Sequence, residues 1–298
     1  MVMASNVPHD FGRPFVMREA VRRAILASGS PSLRRAWTYL AACVKCLWLI
    51  LRTRNWPELI RAYVRQAPCD TIVLRDGTRL IHPANTLGFV DTFLEVWFDR
   101  CYTDPAFYSP RDGDVVLDLG GNVGLFTILL ARPNPSCRVV VVEPFEENFE
   151  CLRRNVEAAN LGNVEVRKAA LAGERGTAYM QRVGQRSLDH RLAEVPDVSG
   201  ADEVNTITLD DLVGSLQCES IALVKIDIEG SEHDAFQTVA NETIRRVERF
   251  AIEYHDNLKP GTLALLRARL ADTHEIRIRP SVKGTFGMLY GVRKAPHP

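Results

Sequence analysis

The sequence has no apolar run long enough to cross a membrane and no recognisable leader. Its most apolar stretch, residues 36–51, is shorter than the roughly 20 residues that a spanning helix needs, and Lys45 interrupts it. The polar, arginine-rich N-terminus lacks an early apolar segment with a cleavage site, so we expect no signal peptide. Internal repeats and low-complexity tracts are also missing. Together these absences predict a globular protein of the cytoplasm.

Cysteines are few, and no regular spacing pairs them. There are seven, an odd number, which argues against a disulfide framework and for a reducing compartment. Cys43 and Cys46 form a Cys-x-x-Cys pair, but a zinc ribbon needs a second such pair and none follows. Their apolar surroundings therefore predict two buried thiols.

The formal net charge of the chain is zero, but the charged residues are unevenly distributed along it. Residues 1–66 contain eleven basic and three acidic residues, a net of +8, so the rest of the chain carries −8. Arginines stand at both ends of the apolar stretch: Arg34, Arg35, Arg52 and Arg54. This pattern predicts a basic helical extension over residues 1–69. Residues 34–66 could lie at the inner face of an anionic membrane, and packing on the main domain or on a second subunit explains them equally well.

Downstream of this extension, the sequence alternates between strand and helix patterns. A hairpin is predicted over residues 71–83, turning at Asp76-Gly77, and a helix over residues 88–102. After the helix, short apolar runs alternate with amphipathic segments. Such alternation predicts an α/β fold with a mostly parallel sheet and helices on both faces.

Two segments depart from this alternation. Residues 274–280 and 286–293 are too close in sequence for a parallel crossover, so an antiparallel C-terminal strand is predicted. A parallel sheet closed in this way is not the standard dinucleotide-binding fold. Residues 172–205 form an insertion, for which a cover over an acceptor and a plain surface loop are both reasonable interpretations.

The first strand of the alternating part ends in an acid and a glycine-rich turn. Asp118 is followed by Gly120, Gly121, Asn122 and Gly124. This spacing does not match the G-x-G-x-x-G pattern of dinucleotide sites. A carboxylate at the strand end repels phosphate but attracts a cation, and the sulfonium and amino groups of S-adenosylmethionine are positively charged. The turn therefore favours S-adenosylmethionine over a dinucleotide.

Acidic residues also end the next strands. Glu143 follows VVVV, some two dozen residues after the turn, where an acid can accept hydrogen bonds from both ribose hydroxyls of NAD or S-adenosylmethionine. In IALVKIDIEGSEHD, charged residues interrupt an apolar strand, and buried charges are costly unless they are paired or used. Asp227 is predicted to point into the cleft, and Glu232 fits an ordinary first-turn acid of a helix. The fifth strand brings Glu253 and His255 to the same edge.

Four segments in this order resemble the FkbM-type methyltransferases: VVLDLGGNVGLF, VVVVEP, ITLDDL and VKIDIEGSE. That family uses S-adenosylmethionine and has the Rossmann-like class I methyltransferase fold. The resemblance covers roughly residues 70–292. It implies a methyltransferase domain over residues 70–298, with the hairpin and helix in residues 70–110 and the Rossmann-like core in residues 111–298.

The resemblance also implies roles for single residues. Residues implied to surround the methionine part of the cofactor are Asp118, Gly120, Asn122 and Gly124. Glu143 would bind the ribose, and Asp227 and Glu229 would flank the methyl-transfer site. Gly121, in the same cofactor-binding turn, stands where the family usually has alanine, a change that we expect not to impair binding.

Members of this family typically methylate hydroxyl oxygens of sugars, glycans or natural products, so a small-molecule or glycan hydroxyl is the expected acceptor. A hydroxyl is a poor nucleophile at neutral pH, and a base or a metal should assist it. Asp227 and His255 are the candidate bases. Alternatively, Asp227, Glu229 and Glu253 hold Mg²⁺ through oxygen ligands.

Two other functions stay open at this point. A nicotinamide-dependent oxidoreductase conflicts with the glycine spacing and with the antiparallel end strand. A non-catalytic nucleotide-binding protein at a membrane would tolerate degenerate site residues, and none of the acids at this edge looks degenerate. No nucleic-acid partner is expected, and the sequence leaves the oligomeric state open.

Overall fold

The computed structural model describes residues 29–104, 107–182, 190–193, 202–281 and 284–295. Two helices open this part of the chain, α1 (Pro31–Arg52) and α2 (Trp56–Arg65). Ser30 caps α1 by accepting a hydrogen bond from the Leu33 amide, and Pro31 occupies the first helical position. The start of the predicted N-terminal extension, residues 1–28, lies outside the described residues.

These helices are attached to the body of the protein. Leu49 of α1 and Leu59 of α2 are fully buried, in the same hydrophobic cluster as Val116 of the central sheet. The prediction of two buried thiols is wrong, because Cys43 is exposed and Cys46 only half-buried, both on α1. No helix in the described part of the chain combines the length and apolar character required to span a membrane.

The predicted hairpin and helix are confirmed. β1 (Thr71–Val73) pairs antiparallel with β2 (Arg79–Ile81). The helix α3 (Phe89–Phe93) runs directly into a π-helix, Leu94–Phe98. π-Helices are rare and frequently occur beside functional sites, and this one leads toward the site described below.

The core is a seven-stranded sheet with helices packed on it. Its strands are β3 (Val115–Leu119), β4 (Arg138–Val142), β5 (Val164–Arg167), β10 (Leu223–Ile226), β11 (Arg249–His255), β12 (His274–Pro280) and β13 (Phe286–Arg293). The helices of this region are α4 (Leu125–Ala131), α5 (Glu146–Ala158), α6 (Leu209–Gly214), α7 (Glu232–Thr238), α8 (Asn241–Arg246) and α9 (Thr262–Leu270). Thr208 caps α6 in a reciprocal capping box with Asp211.

The strand order is β12-β13-β11-β10-β3-β4-β5. β5, β4, β3, β10 and β11 are parallel, and β13 runs antiparallel between β11 and β12. The predicted fold, a mostly parallel Rossmann-like sheet with an antiparallel C-terminal strand, is therefore confirmed. β4 and β10 lie on opposite sides of β3, because the chain crosses back over the sheet after β5. This point of reversal is where open α/β sheets bind ligands.

A second, smaller sheet lies in the predicted insertion. It has the order β6-β9-β7-β8, from strands β6 (Ala170–Leu171), β7 (Gly176–Arg182), β8 (His190–Ala193) and β9 (Asp202–Ile207). Residues 183–189 and 194–201 of the insertion lie outside the described residues. Met180 of β7 is buried beside the cleft, so the insertion contributes to its wall.

Candidate active site

A cleft of about 580 Å³ opens at the carboxyl ends of β3, β4 and β10. Its apolar wall includes Val142, Leu171, Met180 and Ile228. Carboxylates line the other side: Glu143, Asp227 and Glu229. Among the described lining residues there is no lysine or arginine. A cleft with this charge suits a cationic ligand and opposes a pyrophosphate.

Gly120 is the point where the end of β3 meets the segment after β10. Its φ is +78°, and a Cβ atom added there would overlap the carbonyl oxygen of Asp227. A side chain at this position would force the two strand ends apart, so glycine is required. The turn predicted to bind the cofactor is therefore held directly against Asp227.

Asp118 lies behind this turn and is fully buried. Its Oδ2 accepts a hydrogen bond from Thr127 Oγ1 (2.6 Å), and its Oδ1 lies 3.1 Å from Lys225 Nζ. Lys225 also donates to the carbonyl oxygen of Gly120 (2.5 Å). Burial alone would lower the pKa of Lys225, but the carboxylates of Asp118 and Asp227 raise it. The pair thus fixes the turn from behind, and a direct contact between Asp118 and the cofactor stays a prediction.

Glu143 lines the cleft at the end of β4. Its Oε2 accepts from the amide of Asn122 (2.7 Å) and its Oε1 from the amide of Phe145 (3.0 Å). Burial raises the pKa of Glu143 to about 7, although these hydrogen bonds oppose the shift. An ionised carboxylate has about four acceptor positions, so Glu143 can also accept from ligand hydroxyls.

Gly121 and Gly124 are the positions at which the turn packs against β4 and α5. A Cβ atom at Gly121 would overlap Val141 of β4, and one at Gly124 would lie 2.6 Å from Leu152 of α5. These glycines let the turn pack closely on its neighbours. An alanine at position 121 would require Val141 to move. The structure therefore gives both glycines a packing role, and their contact with the cofactor stays a prediction.

Asp227 reaches the cleft from the side of β10. Tyr102 donates a hydrogen bond from its hydroxyl to Asp227 Oδ2 (2.9 Å) and also lies 3.3 Å from Glu253 Oε2. Burial, followed by the charges of Asp227 and Glu95, raises the pKa of Glu253 well above its usual value. The second oxygen of Asp227, Oδ1, is buried and has no hydrogen-bond partner among the described residues. Unsatisfied buried polar atoms are uncommon in folded proteins, and a catalytic role is one of the recognised reasons for them.

His255 lies next to the loop that follows β10. Its Nδ1 is 3.0 Å from Glu232 Oε1 and its Nε2 is 3.5 Å from Glu229 Oε2. Burial opposes the charged form, but the hydrogen bond and charge of Glu232 dominate, with help from Asp227, and raise the pKa of His255 to about 10. The imidazole is therefore protonated at neutral pH and has no lone pair with which to accept a proton.

Among the described residues, one group could place three ligand atoms around a metal ion: Asp227, Glu229 and His255. One ligand atom from each lies within 4.8 Å of the others. Mg²⁺ prefers oxygen ligands, and a metal-bound histidine must be neutral. His255 offers a nitrogen and its Nδ1 already bonds to Glu232, and Glu253, the third oxygen ligand of the predicted set, faces Tyr102. These residues fit Mg²⁺ poorly.

Two residues of the site are not predicted from the sequence. No role is predicted for Tyr102, and Glu232 is predicted only as an ordinary first-turn acid of a helix. Tyr102 stands 125 residues before Asp227, and no local pattern marks it. Lys225 carries a detectable signal, because it lies opposite Asp118 in the register of β10 and β3. A lysine and an aspartate each interrupt an apolar strand, and a prediction that these strands are neighbours would have indicated that the two charges pair.

The family model described as Methyltransferase FkbM domain matches residues 118–277, which is more than half of the chain. The match begins at Asp118, before the glycine turn, and includes the acids at the ends of β4, β10 and β11. The chain belongs to the FkbM methyltransferase family. The predicted family is therefore confirmed, and with it methyltransferase activity.

Named proteins resemble this FkbM chain over most of the same region. A protein named Methyltransferase 1, from Beauveria bassiana, is 25% identical over 59% of this chain and 77% of its own. The 31-O-demethyl-FK506 methyltransferase FkbM of Streptomyces tacrolimicus is 26% identical over 63% of this chain and 82% of its own. A solved structure, methyltransferase FkbM from Methylobacillus flagellatus, shares 15% identity with a TM-score of 0.46. The similarity covers 84% of this chain and 58% of that one, so the chain spans little more than half of that protein.

Proposed function

We propose that this enzyme transfers the methyl group of S-adenosylmethionine to a hydroxyl oxygen of a small-molecule or glycan acceptor. The observation that carries the proposal is Asp227, which lines an acidic cleft at the point of chain reversal and whose Oδ1 has no hydrogen-bond partner among the described residues. The name of one relative, a 31-O-demethyl-FK506 methyltransferase, refers to transfer to oxygen.

The lining of the cleft fits this methyl donor. In the proposal, Glu143 accepts hydrogen bonds from the ribose hydroxyls, and the turn at Gly120 and Asn122 binds the methionine part. The carboxylates of Asp227 and Glu229 flank the sulfonium and its methyl group. When bound, S-adenosylmethionine supplies the methyl group, and its sulfur keeps the electron pair of the broken carbon–sulfur bond.

Asp227 is the proposed base. It accepts the proton of the acceptor hydroxyl, while Tyr102 holds its second oxygen in place. His255 is the second candidate on sequence grounds, and its protonation at neutral pH favours Asp227. The positive charge of His255 instead offsets the carboxylates around it, and it orients Glu229 and Glu232.

The test is the Asp227→Asn variant, which keeps the shape of the side chain and removes its charge. We expect methyl transfer to fall about 100- to 10,000-fold, the usual size of general-base effects, while affinity for S-adenosylhomocysteine is retained. Transfer is measured from radiolabelled S-adenosylmethionine to a panel of sugars and polyhydroxylated natural products, with product bonds assigned by NMR. Asp272→Asn, at an exposed aspartate, is the matched control. A normal rate in Asp227→Asn, or a product methylated on nitrogen or carbon, contradicts the proposal.

The metal alternative has a separate test. Because the described residues fit Mg²⁺ poorly, we expect methyl transfer to continue unchanged after dialysis against a chelator. A loss of activity that added Mg²⁺ restores would show that the enzyme needs the metal, and Asp227 and Glu229 would then be its first ligands to examine.

A further inference from the structure

The helix α1 carries a row of exposed apolar side chains that take no part in the proposed active site. Its five members are between 44% and 63% exposed: Leu33, Leu40, Val44, Leu47 and Leu51. Successive spacings of seven, four, three and four residues place them on one side of the helix. The row is about 27 Å long, because a helix rises about 1.5 Å per residue. Single exposed apolar residues are ordinary, whereas a continuous row marks a binding surface.

The row cannot turn inward, because other side chains of α1 attach the helix to the protein. Trp48 packs its ring on Phe93, with 5.5 Å between the centroids, and Leu49 is fully buried. Lys45 forms an ion pair with Asp99 of 2.7 Å. The helix therefore has one side bound to the body and the opposite apolar side facing solvent.

The charge of this region is strongly positive. Residues 31–66 contain seven basic residues and one acid, Glu58, a net of +6. Six of the basic side chains are exposed: Arg34, Arg35, Arg52, Arg54, Arg61 and Arg65. The helix α2 adds two exposed apolar side chains, Trp56 (36%) and Val64 (67%). Apolar and cationic side chains are thus both exposed on this pair of helices.

We propose that residues 31–66 form a membrane-docking surface for an anionic lipid bilayer. The apolar row of α1 lies at the boundary between headgroups and acyl chains, and the exposed arginines contact lipid phosphates. Charge complementarity decides for lipid over a second copy. Two copies of this surface would bring +6 against +6, whereas an anionic leaflet attracts each exposed arginine.

The test uses the full chain and vesicles, without any methyl donor. Phosphatidylcholine vesicles with and without phosphatidylserine are sedimented with the protein at low and high salt. We expect binding only in the presence of phosphatidylserine, with a partition coefficient at least about tenfold lower at high salt. The double variant Leu40→Gln/Leu47→Gln should lower the coefficient at low salt by about tenfold or more. Val292→Gln, at a comparably exposed position of β13, should leave it unchanged.

Other outcomes overturn the proposal. Absence of binding at low salt, or equal binding to neutral and anionic vesicles, would exclude an anionic bilayer as the occupant. Light scattering that shows a dimer, which Leu40→Gln/Leu47→Gln dissociates while vesicles do not bind, would assign the surface to a second copy. Circular dichroism confirms that the variants fold. Methyl transfer is not measured, so failure here leaves the proposed reaction untouched.

Discussion

Carboxyl groups at the cleft have different partners. Glu253 faces Tyr102 and the charges of other acids, so burial and repulsion favour its neutral form. Glu232 faces the protonated imidazole of His255. Asp227 has one oxygen held by Tyr102 and one without a partner in the part of the chain that the structure describes. Titratable groups with such unequal surroundings commonly divide the acid and base roles of a site, and here the division favours Asp227 as the base.

Glu143 provides a prediction about pH. Its pKa is raised to about 7, so its carboxylate is protonated below that value and charged above it. In the proposed binding mode, the charged form offers more acceptor positions to the ribose hydroxyls than the protonated form does. Affinity for S-adenosylhomocysteine should therefore be lost as the pH falls through about 7, by about tenfold between roughly pH 8 and pH 6. Calorimetry at the two pH values measures this change.

The Glu143→Gln variant should remove this pH dependence and weaken binding at high pH by roughly 1.5–3 kcal/mol, the scale of hydrogen bonds to a charged group. Glu147→Gln, at an exposed acid of α5, is the matched control. Wild-type affinity at both pH values in folded Glu143→Gln would remove Glu143 from the binding site.

At the scale of elements, one short loop joins β10 to α7, and it brings Asp227 and Glu229 to the cleft. Glu229 and Gly230 have φ values of 50° and 101°. The buried Glu232 holds this conformation, since its carboxylate accepts from the amides of Ile228 and Gly230 (3.1–3.3 Å). His255 of β11 holds Glu232 in turn. The loop therefore depends on an ion pair between two elements.

This ion pair predicts a pH-dependent stability. The pKa of His255 rises from 6.5 to about 10 on folding, so its contribution is fully present below pH 6.5 and is lost as the pH rises through about 10. The His255→Asn variant leaves Glu232 buried without its cation. We expect it to lower the free energy of unfolding by about 3–5 kcal/mol near neutral pH, and by much less at about pH 10.

Urea denaturation of wild type and variant at both pH values gives the difference directly. His233→Asn is the matched control, because that histidine is more exposed and lies beside Asp234 on the surface of α7. An equal loss of stability in His255→Asn at both pH values would show that packing, and not charge, is what His255 contributes.

At the scale of the whole molecule, the strand order determines which groups meet. Because β4 and β10 flank β3 and run parallel to it, the turn at Gly120, Glu143 and Asp227 lie at one edge of the sheet. The cleft between them is lined by carboxylates and by no basic residue among those described. The negative charge of the cleft therefore favours a cationic nucleotide ligand over one that carries a pyrophosphate.

That charge predicts the ligand preference of the intact protein. S-adenosylhomocysteine should bind in calorimetry, and NAD at the same concentration should give no heat of binding, because its pyrophosphate would face Glu143 and Asp227. S-adenosylmethionine, which also carries the positive sulfonium, should bind more tightly than S-adenosylhomocysteine. Tight NAD binding with no response to S-adenosylhomocysteine would refute the proposed methyl donor.

The sequence by itself determined the features that depend on local patterns. The hairpin, the alternation of strands and helices, the antiparallel last strand and the acid-glycine turn are all readable from spacing, and they led to the fold and the family. They are readable because backbone geometry and side-chain periodicity act over a few residues.

Tertiary structure alone decided how the charged side chains are used. Tyr102 meets Asp227 across 125 residues of chain, Glu232 meets His255 across 23, and Lys225 meets Asp118 across the sheet. These contacts made His255 a cation instead of a base, and they placed Asp118 behind the turn. Burial and neighbouring charge set protonation, and both arise only when distant segments pack together.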